Sequence, residues 1–94
     1  MERLQQRGTS RGRKTIRLLA EEFRQKRLGV GLSQSQVATA AGIARSTYTR
    51  IENATLESLS VVVAARIAAV FGLDLGVRLY PGANHSAMGL TPRA

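Results

Sequence analysis

The sequence predicts an all-α domain of four to five helices, its last segment read either as a C-terminal strand or as the fifth helix, and three observations lead there. Apolar residues recur at helical spacing over 15–28, and 61–71 is apolar nearly throughout between Ser60 and Gly72. Between them, LSQSQVATAAGIARSTYTRIEN (32–53) packs a helix start, a glycine stop and a second helical pattern into one stretch with no slack. After Gly72 the period changes from helical to alternating.

The first helix is expected from Thr15 to about Leu28, where Ile16, Leu19, Ala20 and Phe23 share a face and Gly29 and Gly31 end it. Ser33 then starts a second helix. With Gln36 three residues on, it forms a Ser-x-x-Gln box, in which each side chain satisfies a backbone donor that the first helical turn leaves orphaned. This helix runs to about Ala41, and Gly42 supplies the left-handed backbone of a sharp stop. A third helix restarts near Arg45, and residues 53–60 are a loop. Ser60 caps a fourth helix, Val61 to Phe71, whose sequence VVVAARIAAVF carries one charge, Arg66, and so is apolar around nearly its whole circumference. A chain this small has no interior deep enough to wrap it, so one face is expected on the core and another against a second subunit.

Spacing sets the second and third helices apart from an arbitrary helical hairpin. Counting Gln34 as the first place, Val37 is fourth, Ala38 fifth, Gly42 ninth, Tyr48 fifteenth and Ile51 eighteenth. Val37, Tyr48 and Ile51 lock the two helices onto one core, Ala38 is small where the second helix crosses, and Ile43 plugs the corner. These are the requirements of a DNA-reading helix-turn-helix. At 100° per residue, Arg45, Ser46, Thr49 and Arg50 fall on one polar face that contains no acid, while Tyr48 and Ile51 point away. Arginine matches the paired acceptors of guanine in the major groove, and threonine offers a methyl or a hydroxyl. A solvated helix face is the bland alternative.

The stretch 32–53, within a wider region from about Phe23 to Leu75, resembles the phage-repressor/Cro type of helix-turn-helix, the Xre-like family of bacterial and phage regulators. The resemblance implies a lambda-repressor-like fold in which Gln34 touches a DNA phosphate and braces the recognition helix. It places Arg45, Ser46, Thr49 and Arg50 at the base edges, gives Asn53 a phosphate contact, and pairs Arg27 with Glu52 in a structural salt bridge. Ala44 departs from the pattern, since the recognition helix is commonly capped there by Ser or Thr.

Fourteen Lys and Arg against six Asp and Glu leave a net charge of +8 on 94 residues, which favours a polyanionic partner. Much of the excess precedes the motif. QQRGTSRGRK, rich in Gly, Ser and Arg, reads as part of a flexible basic arm over residues 1–14, with Arg13 and Lys14 as DNA contacts; a solubilising tail is the alternative. The domain proper spans 15–80. Within 72–80, Leu73, Leu75, Val77 and Leu79 alternate with Asp74, Gly76, Arg78 and Tyr80, which suggests a strand that pairs with a second copy. Antitoxin-type repressors of the resembled family sometimes carry such a strand; a fifth helix is the competing reading. Residues 81–94 are expected to be a disordered tail, and VRLYPG resembles the junction to a second domain in longer regulators.

Enzyme chemistry finds little to stand on. The chain has no cysteine, Glu21 and Glu22 diverge around a helix, and His85 has no nearby ligand or nucleophile, so neither catalytic nor metal-binding residues are expected and no cofactor is called for. Without a spanning or secretory-length apolar run, a cytoplasmic protein away from the membrane is expected. The expected partners are double-stranded DNA and a second copy of the chain, in a repressor acting on a pseudo-palindromic operator. A toxin protein neutralised by an autoregulating antitoxin is the alternative, and a docking module without DNA recognition is disfavoured by Arg45 and Arg50.

Overall fold

The computed structural model describes residues 2–82, which form four α-helices and no strand. Helix α1 spans Glu2–Val30, α2 Gln34–Ala41, α3 Arg45–Glu52 and α4 Val61–Val70. Helix α2 packs on both α3 and α4, and α1 packs on α3. The core lies where these faces meet: Phe23 of α1, Val37, Ala38 and Ala41 of α2, Tyr48 and Ile51 of α3, and Ala64, Ile67 and Ala68 of α4. Leu19, Leu32, Ile43, Leu59 and Leu75 close its rim.

One expectation needs correction at the N-terminus. Residues 2–14, read from composition as part of a flexible arm, continue α1 as helix and bring it to 29 residues, about 43 Å. The physical reason is propagation. Once the apolar face from Ile16 to Phe23 fixes a helix, each further residue adds a hydrogen bond without a new nucleus. Arg, Gln, Lys and Leu are good helix formers, and they outnumber the unfavourable Gly8 and Gly12.

All four helices stop in the same way. In each, a residue in the left-handed region lets two successive amides return to the last turn. At the end of α2 the Gly42 amide donates to Thr39 O at 3.1 Å and the Ile43 amide to Ala38 O at 2.9 Å. The equivalent amide pairs are Gly31 and Leu32 after α1, Ala54 and Thr55 after α3, and Gly72 and Leu73 after α4. Three of the left-handed residues are glycines, which adopt this conformation without steric cost; the fourth is Ala54, at φ 55°.

The apolar circumference of α4 divides as its surroundings dictate. Ala64, Ile67 and Ala68 are buried, whereas Val61 and Val62 remain exposed. Beyond Gly72 the chain turns back along α1. Residues 73–82 are neither a fifth helix nor a paired strand, and Leu75 alone of the alternating apolar set packs on the core. The expected tail beyond Gly82, with His85, lies outside the described residues.

Candidate nucleic-acid interface

Helix α3 is held at its two ends by unlike means. At its start, Ala44 is the cap residue, with extended backbone (φ −69°, ψ 146°) and no side-chain hydrogen bond to the first turn. The preceding helix has a complete box: Ser33 Oγ accepts from the Gln36 amide at 3.0 Å, and Gln36 Oε1 accepts from the Ser33 amide at 2.8 Å. The turn between the two helices is also tied to α4 by Arg66, whose Nη2 donates to Gly42 O at 3.2 Å. Sequence reasoning singled out Arg66 as the lone charge of α4 but gave it no role. The two residues lie 24 apart, and no local pattern links them.

At its far end α3 is tied into a polar network. Arg27 grips Glu52 with two donors, Nε to Oε2 at 2.6 Å and Nη2 to Oε1 at 3.0 Å, and its Nη1 donates to Leu32 O at 3.0 Å. Gln34 completes the arrangement. Its Nε2 donates to Glu52 Oε1 at 3.1 Å, while its Oε1 accepts from Thr49 Oγ1 at 2.9 Å. One carboxylate thus joins α1, α2 and α3, and Arg27 adds the linker through Leu32 O. Burial alone would push the Glu52 carboxyl upward, but the donors around it, Arg27 foremost, hold it below the ordinary value of 4.5. The same contact raises Arg27 further.

Glu52 is only 9 % exposed and its charge is matched by Arg27, so the one acid of α3 adds little negative potential to the helix's outer face. The Tyr48 hydroxyl lies against this pair without a partner at hydrogen-bonding geometry. Desolvation first, and the neighbouring carboxylate second, push its pKa up.

The outer face of α3 is left open. Arg45, Ser46 and Arg50 are exposed, and their side chains make no hydrogen bond or ion pair among the described residues. Two unpaired guanidiniums one turn and a half apart, on a helix backed by a rigid polar anchor, form a surface suited to an array of acceptors. The chain belongs to the helix-turn-helix family of the Xre and lambda-repressor type. The family's model matches residues 23–77, from the buried Phe23 of α1 through all of α2, α3 and α4. This helix-turn-helix protein is a DNA-binding transcription regulator. No curated protein and no solved structure matches the chain.

Within the helix-turn-helix protein the remaining candidate residues are differently placed. Thr49 is half-buried and its hydroxyl hydrogen is already donated to Gln34, so any base contact it makes must use its methyl or an oxygen lone pair. Asn53 is exposed just past α3, beside the loop. Arg13 and Lys14 are exposed on α1. Arg13 has an intramolecular partner, with Nη2 2.8 Å from Glu57 Oε2 in the α3–α4 loop. Both side chains are largely solvated, so the ion pair is weak and open to exchange with a phosphate. It nonetheless sets the basic half of α1 beside the loop that follows the recognition helix. Among the described residues, no helix is long and apolar enough to cross a membrane.

Proposed function

We propose that this regulator is a repressor that binds a pseudo-palindromic operator as a homodimer, with Arg50 and Arg45 reading bases. The observation that carries the reading is the outer face of α3, where both guanidiniums are unpaired among the described residues while Thr49 and Glu52 on the inner side are tied to Gln34 and Arg27. Ser46 and Thr49 complete the base-facing set. Gln34, Asn53 and the α1 cations Arg13 and Lys14 contact phosphates, positioning the helix without selecting sequence. Two copies set their recognition helices about 34 Å apart, one turn of duplex, so that the symmetry of the dimer becomes that of the operator.

The test is selection of bound duplexes from a random pool at near-physiological salt, with Arg50→Ala selected in parallel. An enriched inverted repeat is expected, and the variant should bind it about 1 to 3 kcal/mol more weakly with relaxed preference at one symmetric position. Unchanged specific binding by Arg50→Ala would refute the assignment. A second reading, an antitoxin that also represses its own operon, is favoured by the exposed Val77, Leu79 and Tyr80 of the terminal segment, an apolar surface able to take a protein partner.

A further inference from the structure

Residues 73–80 combine three properties that the core does not use. Their backbone is neither helix nor paired strand, and beyond the Leu73 amide none of its donors or acceptors is paired among the described residues. An apolar residue stands at every second position, and of these Leu75 packs on the core while Val77 and Leu79 are 69 % and 102 % exposed. The segment also forms one wall, through Leu75, Gly76, Val77, Arg78 and Tyr80, of an open, mainly apolar groove of about 790 Å³ whose other walls include Leu18 and Leu19 of α1 and Val61 and Ala64 of α4. Gly72 in the left-handed conformation begins the segment, and Pro81, which has no amide hydrogen, ends it.

The charges within the segment identify the occupant of this surface. Asp74 and Arg78 lie symmetrically about Gly76, two residues to either side. In an antiparallel pair of identical segments with the two-fold axis at Gly76, Asp74 stands opposite Arg78 of the partner subunit, and the converse holds across the axis. Leu75 then meets Val77 of the partner subunit, and Leu73 meets Leu79 of the partner subunit. Directly opposed residues share a face, so all the apolar side chains gather on one side of the ribbon and the ion pairs on the other. A one-residue slip would set apolar against polar positions, and a two-residue slip would leave both charges without partners. We propose that a second copy of this chain docks here, through an antiparallel two-stranded ribbon centred on Gly76, with its apolar face on the α1–α4 groove. The inference rests on the homodimer reading and specifies its interface. A lone two-stranded ribbon is marginal in water, and the groove supplies the apolar backing it needs.

The full chain, without DNA, tests this by sedimentation equilibrium of the wild type, of Asp74→Arg, of Arg78→Asp, and of the two variants mixed. The wild type is expected to be a dimer. Each variant alone sets like charges opposite one another and should self-associate roughly tenfold or more weakly, while the equimolar mixture restores pairing because one copy is doubly positive and the other doubly negative there. Both positions are exposed, and circular dichroism checks that the helices persist. In a chain without cysteine, Gly76→Cys should form an intersubunit disulfide on oxidation, because a residue on the axis faces its own copy at a Cα separation of about 4.5 to 5.5 Å; Leu79→Cys should not. A monomeric wild type overturns both the interface and the homodimer reading. A wild-type dimer indifferent to charge reversal and not crosslinked through Gly76→Cys overturns this interface alone.

Discussion

The motif and the terminal segment treat their polar groups in opposite ways. From Phe23 to Asn53, each helix stop returns its amides to the preceding turn, and the buried carboxylate of Glu52 meets donors from Arg27 and Gln34. From Asp74 to Pro81, no backbone hydrogen bond forms among the described residues. The contrast is one of task. A helix held at a fixed angle needs its buried charge matched, as Glu52 is by Arg27 and Gln34, whereas backbone left uncommitted is available to another chain. Substitutions that remove a committed group of the motif should therefore show as lost stability.

The largest such effect is expected at Arg27. Arg27→Ala leaves Glu52 buried without its main partner, and breaking one side of a buried pair costs about 3 to 5 kcal/mol. Urea unfolding of the variant should show it. A midpoint within experimental error of the wild type would mean that the network does not anchor α3.

The pH dependence probes the same carboxylate. Because Glu52 is held below its ordinary value of 4.5 in the folded chain, its contribution is fully present above that value and is lost as pH falls through the depressed one. Unfolding free energy should thus fall on acidification below about pH 4.5, and more steeply in the wild type than in Arg27→Ala. Equal slopes would place the acid sensitivity at another carboxylate.

Next comes Gly42→Ala, expected to cost about 1 to 2 kcal/mol, because alanine at φ 72° is strained and its Cβ would collide with the Arg66 guanidinium that holds the turn. The glycine and the Ser33–Gln36 box were legible in the sequence because both are local, encoded within one turn of helix. The helical residues 2–14 were not, because they extend a helix fixed by packing further along, and composition there spoke for an arm. Contacts at long separation were equally silent, as with Arg66 on Gly42 and Arg13 on Glu57, and so was the left-handed Ala54, a residue type that seldom signals that conformation. Residues 73–80 were legible as an alternating pattern, but one chain holds only half of any ladder they enter.

The smallest effect is a gain. Ala44 begins the recognition helix without a side-chain acceptor, whereas Ser33 and Ser60 cap the helices on either side of it in the chain. Ala44 already has the extended backbone that a capping residue requires, so Ala44→Ser can accept from an amide of the first turn without moving the chain. Thermal unfolding should show a gain of about 1 kcal/mol. Because the residue precedes Arg45 and the outer face of α3 keeps its side chains, operator affinity should change little. A stabilised protein with weakened specific binding would instead show that the start of the helix must yield when DNA is bound, and that its missing cap serves recognition.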